Sequence, residues 1–172
     1  MAAPIEIAVW QGEIAELEVD ALIIGANESL FMTAGPAAAV RRYAGEEVER
    51  AAVAQGPIAA GSAVVTSGGN MAAAFVIHAV AVGHAHRADP DTLRAALRAA
   101  LAFAEPLQLR RIAVSCLGTE RGAFMPDEAA SILVEELSHR SGSLPESAVI
   151  ATAGASETAA VGAVLERARI AG

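Results

Sequence analysis

No lysine occurs among the 172 residues, so all 12 basic residues are arginine. That absence removes the lysine of phosphate-binding P-loops and the amine of Schiff-base catalysis. The single cysteine, Cys116, excludes an internal disulfide framework and is compatible with a reducing compartment. Aromatic residues are 3% of the chain against a hydrophobic share of 54%, so Ala, Val, Leu and Ile must build the core. No apolar run reaches the ~20 residues of a membrane-spanning helix. Residues 1–6 lack the basic stretch and apolar centre of a secretory signal, and the expected location is cytoplasmic. Positive charge is scarce as well, with 20 acidic residues against 12 basic and a net charge of −8. Such a surface repels nucleic-acid backbones and anionic membranes, so neither is expected as a bulk partner.

What is present is an alternation of short apolar runs with longer Ala-rich stretches of helical period, the pattern of an α/β layer fold. Strands are predicted over residues 5–10, 21–24, 63–66, 75–82, 111–116 and 147–152. The run Ala21-Leu22-Ile23-Ile24 is apolar throughout, as a central strand covered on both faces requires. A helix opening at Pro36 is predicted to carry Val40, Tyr43 and Val48 and to end near Gly56. Further helices are predicted from Asp89-Pro90-Asp91 to about Pro106, over 127–139 and over 157–168. A single domain, 1–172, accounts for the whole chain.

Two loops rich in small residues follow predicted strands, where open α/β sheets bind ligands. One runs from Gly25 to Val40 and the other from Leu117 to Phe124. Small side chains let an anion approach backbone N–H groups, although such loops are also common as plain tight turns.

The residues of these loops carry a resemblance. Val9-Trp10-Gln11-Gly12-Glu13-Ile14 and Val19-Asp20-Ala21-Leu22-Ile23-Ile24-Gly25-Ala26-Asn27 resemble the opening blocks of the macro domain family. Thr33-Ala34-Gly35-Pro36-Ala37-Ala38-Ala39-Val40 falls where that family has a Gly-rich phosphate loop opening a helix. Val76-Ile77-His78-Ala79-Val80 and Leu117-Gly118-Thr119-Glu120-Arg121-Gly122-Ala123-Phe124 are similar to two further family motifs. The resemblance implies a three-layer α-β-α sandwich with a mixed, mostly parallel sheet of about six strands. It also implies a cleft for ADP-ribose or a related adenine nucleotide metabolite. No cofactor is expected, and no metal either, since His84 and His86 have no third ligand nearby. The partners implied are that small molecule and ADP-ribosylated protein.

Roles carried over residue by residue place Glu13 and the Ile14 amide on the adenine and Asn27 on the distal ribose. Thr33, Ala34, Gly35, Pro36 and Ala37 form the first phosphate loop. Leu117, Gly118, Thr119, Glu120, Arg121, Gly122 and Ala123 form the second, and Phe124 closes it or packs on the ribose. Several positions depart from the family pattern. Ala37 stands where hydrolytic members carry an Asp that positions water, and Pro36 lacks an N–H. Glu120 replaces a Gly and brings a carboxylate to the expected anion, while Arg121 could pair with it, hold a phosphate or sit solvated. Residues 152–156 contain no aromatic to stack on adenine. The reading that follows is binding with weak or no hydrolase activity. The alternatives are an ADP-ribosyl hydrolase, with Asn27 as its catalytic residue, and a degenerate fold with a structural or interaction role.

Other residues have plainer readings. Cys116 is expected buried and inert, and His78 is expected as a hydrogen-bonded core residue. His84-x-His86 has metal-pair spacing but no third ligand nearby. Trp10 fits either core or cleft wall. Glu46-Glu47 and Glu135-Glu136 are expected on solvated helix faces.

Overall fold

The computed structural model describes residues 2–171, so the two terminal residues of the expected 1–172 domain lie outside the description. In chain order it contains β1 (Glu6–Gln11), β2 (Ala21–Gly25), α1 (Gly35–Ala44), α2 (Glu46–Val53), β3 (Ala63–Ser67) and β4 (Phe75–Ala79). Then follow α3 (Pro90–Leu101), β5 (Arg111–Ser115), α4 (Pro126–Ser138), β6 (Ser147–Thr152) and α5 (Ala155–Ala171). The six strands form one sheet in the order β1-β6-β5-β2-β4-β3. Only β3, at one edge, runs antiparallel, pairing with β4.

Side chains on a strand alternate between faces, and that alternation divides the core. Ala21 and Ile23 of β2 join Ile77, Ile112, Val114 and Ile150 beneath α3, α4 and α5. Leu22 and Ile24 join Val76, Ala113 and Ala151 on the opposite face, under Val40 and Ala44 of α1 and Val48 of α2. Central β2 is wholly buried up to Ile24, whereas edge strand β1 alternates between exposed and half-buried positions. Small side chains suit this arrangement, since Ala96, Ala100, Ala129 and Ala130 let α3 and α4 approach the sheet closely.

Local chemistry sets the helix ends. Asp89 caps α3 by accepting from the Asp91 amide (3.0 Å) and the Thr92 hydroxyl (2.9 Å), with Pro90 in the first turn. The single helix expected from Pro36 to Gly56 is instead two. Gly45 adopts φ 102° and ψ 162°, ending α1 and starting α2, whose first turn holds Glu46, Glu47 and Glu49. The strand expected to reach residue 82 leaves the ladder after Ala79, and α3 gives way to turns at residue 102.

The expectation that Glu135-Glu136 lies on a solvated face is corrected at Glu136. Its carboxylate is buried and receives Arg98 Nε (2.7 Å) and Nη2 (2.8 Å), with Arg94 Nη1 at 3.2 Å. Adjacent residues point apart on a helix, but α4 packs against α3, so Glu136 faces arginines instead of water. Glu135 stays exposed and reaches Arg94 Nη1 at 3.0 Å. Hydrogen bonds from these arginines hold the Glu136 carboxyl below its ordinary range. Glu136→Ala is expected to cost about 1–2 kcal/mol in urea denaturation, because the freed Arg98 is exposed enough to hydrate. No change in the unfolding midpoint would show that the Arg–Glu–Arg fork adds nothing to the α3–α4 contact.

Candidate functional site

The chain leaves the sheet in opposite directions after β2 and after β5. From β2 it crosses through α1 and α2 to β3 and β4 on one side, whereas from β5 it crosses through α4 to β6 on the other. These two strands are parallel neighbours, pairing Ala21 with Ile112 and Ile23 with Val114. Their carboxyl ends therefore flank a topological switch point, where α/β sheets form their ligand crevice. The stretches on its two sides are residues 25–40, whose first residue, Gly25, ends β2, and residues 117–124, both singled out above. They meet directly. A Cβ added to Gly25 would overlap the Glu120 carboxyl.

Three interactions shape the first loop. The Asn27 side chain donates to Phe31 O (3.0 Å) and accepts from Ser29 Oγ (2.7 Å), so its amide closes its own loop. Glu28 accepts from the His84 amide at 3.3 Å and lies 3.2 Å from His84 Nε2. Glu49, from α2, accepts from the Met32 amide at 2.7 Å, with Arg41 Nε 3.3 Å from its other oxygen. Thr33, Ala34, Gly35 and Pro36 are exposed beyond this tie, while Ala37 is buried against the sheet. Thr33 lines an open hollow of about 560 Å³ with Arg41, Arg42 and Glu46, to which the second loop contributes nothing.

The second loop turns tightly. Gly118 (φ 95°), Arg121 (φ 52°) and Gly122 (φ 72°) occupy the left-handed region, and Thr119 Oγ1 donates to Cys116 O at 2.7 Å. Glu120 folds inward and its carboxylate accepts from the Gly118 amide at 2.7 Å. Burial raises the Glu120 carboxyl above its ordinary range; bonds from its own and the Gly118 amides oppose that rise, and negative Glu157 adds to it. Among the described residues no ion pair joins Glu120 to Arg121, which is exposed. Leu117 and Phe124 are buried in the core beside α3, and Ala123 is half-buried.

Following β1, Glu13 is exposed at the start of a short helical turn, Ile14–Glu16. The Ile14 side chain is buried, and its amide has no backbone partner among the described residues. Trp10 is half-buried on the α1 face and lies over Gly12, where an added Cβ would meet the indole ring at 2.5 Å. Cys116 is buried, and desolvation pushes its thiol up to about 12. Among the described residues, His, Cys, Asp and Glu nowhere gather in the threes that could hold a metal ion, and His84 pairs with Glu28 instead. No helix among these residues is long and apolar enough to cross a membrane.

Sequence reasoning missed Glu49, Glu28–His84 and the fit of Glu120 against Gly25. Each joins segments distant in the chain, and no local spacing signals them. A glycine ending a buried strand was the one visible hint.

Comparison with known proteins agrees with this architecture. The macro domain family model matches residues 23–133. An uncharacterised protein of Mycobacterium tuberculosis is 38% identical over 141 residues, covering 81% of this chain and 39% of the relative. The chain thus spans about two fifths of the length of that relative. A macro domain-containing protein encoded in the gbd 3′ region of Cupriavidus necator is 31% identical over 146 residues, covering 81% of this chain and 84% of the relative. Among solved structures, the Trypanosoma brucei macrodomain in complex with ADP-ribose superposes with a TM-score of 0.84 at 24% identity. That match covers 93% of this chain and 69% of the other. Sheet order, switch-point loops and family match converge, and this chain belongs to the macro domain family.

Proposed function

We propose that this chain binds ADP-ribose or a related adenine nucleotide metabolite at the β2–β5 switch point, with weak or no hydrolase activity. The observation that carries the proposal is the meeting of two small-residue loops across the carboxyl ends of these diverging strands. Backbone donors, not basic side chains, would hold the phosphates, in keeping with a chain of net charge −8 that has no lysine. Glu13 and the Ile14 amide would take the adenine edge, and the first loop would cover the distal ribose. Trp10 supplies an aromatic residue on β1, beside β6, whose following segment has none.

Weak turnover follows from Ala37. A buried methyl group stands where the resemblance places a water-orienting carboxylate, so no acid or base comes from α1 at that point. Asn27 acts as a positioning residue: one N–H and one lone pair of its amide close the first loop on Phe31 O and Ser29 Oγ, which leaves one of each for a ligand. ADP-ribosylated protein is the proposed source of the ligand group, and the reducing cytoplasm is the proposed setting for the single buried thiol.

Calorimetric titration with ADP-ribose tests this reading. Saturable heat is expected, and Asn27→Ala is expected to weaken binding about tenfold by loosening the first loop, equivalent to about 1.4 kcal/mol. Heat indistinguishable from buffer up to millimolar ligand would overturn it. Release of ADP-ribose from modified protein at a rate that Asn27→Ala abolishes would favour the hydrolase alternative.

A further inference from the structure

The loop after β5 spends most of its amides on closing itself. Thr119 N donates to Cys116 O (3.3 Å), Gly122 N to Thr119 O (3.0 Å), Ala123 N to Glu120 O (3.1 Å) and Phe124 N to Gly118 O (2.9 Å). Gly118, Glu120 and Arg121 are left with amides that close no backbone turn among the described residues. The Glu120 carboxylate takes the first of these, accepting from Gly118 N at 2.7 Å. Left-handed residues beside right-handed ones turn such amides into a concave anion seat. Here the seat is filled from within.

The surroundings show that the carboxylate is accommodated there and not neutralised. Gly25, directly opposite, leaves the room that any side chain would take away. Glu157, from α5, adds negative charge, and no basic group pairs with Glu120 among the described residues. An incoming phosphate therefore meets a carboxyl group already bound to the Gly118 amide, one of the donors it needs.

We infer that Glu120 is a specificity-determining residue: its carboxylate occupies the amide seat at Gly118, so the crevice discriminates against ligands in proportion to the charge they place there. A neutral nucleoside leaves Glu120 in place. A diphosphate must displace it or share the seat. The inference rests on the binding reading above and concerns which adenine ligands that crevice ranks first.

The test is a set of titrations of adenosine, ADP and ADP-ribose into wild type, Glu120→Gln and Glu120→Gly, each variant first shown by its melting curve to be folded. Glu120→Gln keeps the shape and removes the charge. It is expected to tighten ADP and ADP-ribose by about tenfold or more while moving adenosine by less than about twofold. Glu120→Gly is expected to change the ranking in the same direction. Wild type that binds ADP-ribose with the same affinity as both variants overturns the role of Glu120 and leaves the binding reading intact. Weaker ADP-ribose binding in Glu120→Gln also overturns it, since the carboxylate would then be a ligand contact. If none of the three proteins binds any of the ligands, both readings fall together.

Discussion

Leu93→Ala is expected to lower the unfolding free energy by about 2–5 kcal/mol, a large fraction of the 5–15 kcal/mol that holds a domain folded. Leu93 is fully buried in the first turn of α3 and belongs to the core beneath α3, α4 and α5. Truncation removes its apolar contacts and leaves a cavity that the sheet cannot fill, because β4 and β5 are fixed by their ladders. Its position also matters for the site. The methyl groups of Leu93 lie under the second loop, where a Cβ on Gly118 would come within 2.9 Å of Cδ2. Losing that support frees the turn presenting the Gly118 amide. Leu97, one turn further along and equally buried, provides the control. In urea denaturation both Leu→Ala variants are expected to shift the midpoint with an unchanged slope. Only Leu93→Ala should also weaken ADP-ribose binding. A loss below about 1 kcal/mol would mean the site collapses around the smaller side chain and that α3 does not prop the loop.

The positions of Leu93 and Leu97 were legible in the sequence, because Leu93, Leu97 and Leu101 recur every four residues with alanines beside them. The all-apolar run of β2 likewise announced a central strand, and it lies between β5 and β4. Boundaries were less legible where two signals overlapped. Gly45 splits α1 from α2 within a continuous run of helix formers, and residues 80–82 stay buried after leaving the ladder. The two loops of the site stood out through their small residues. What those loops do with their side chains did not, because it depends on partners 17 residues away for Met32–Glu49 and 56 away for His84–Glu28. Glu120 is the sharpest instance. A carboxylate in a Gly-rich loop signals repulsion toward an anion, but only the fold shows that Gly25 makes room for it. The four-residue reach of helical periodicity and the alternation of strands carry the core; the crevice is made of contacts between elements that neither pattern describes.

Acid is expected to destabilise the protein by about 3 kcal/mol between pH 6.5 and 4 through one residue, His78. Its ring is completely buried on β4, between Ile24 of β2 and Val64 of β3. Thr66 Oγ1 donates to Ser67 O at 3.1 Å and so receives the His78 Nε2–H at 2.9 Å, which leaves Nδ1 as the unprotonated nitrogen. Among the described residues Nδ1 has no hydrogen-bond partner, and a proton placed there would be a buried charge without an acceptor from them. Desolvation accordingly pushes the His78 pKa down to about 4. Above pH 6.5 the ring is neutral in both folded and unfolded chains and contributes no pH dependence. Between 6.5 and about 4 the unfolded chain takes up the proton and the folded chain does not, so stability falls as pH falls. Below about 4 both forms carry it and the loss levels off. Glu136, whose carboxyl is held low by Arg98 and Arg94, adds a further loss only once pH drops below the ordinary carboxylate range. Glu120 works in the opposite direction, since its raised pKa favours the folded state at low pH. His78→Gln keeps a hydrogen-bonding side chain near Thr66 and cannot titrate. Urea denaturation at pH 7, 6, 5 and 4 should therefore show a steep decline for wild type and a much flatter one for His78→Gln. Parallel declines would place the acid sensitivity in the surface carboxylates and show that the buried ring accepts its proton without cost.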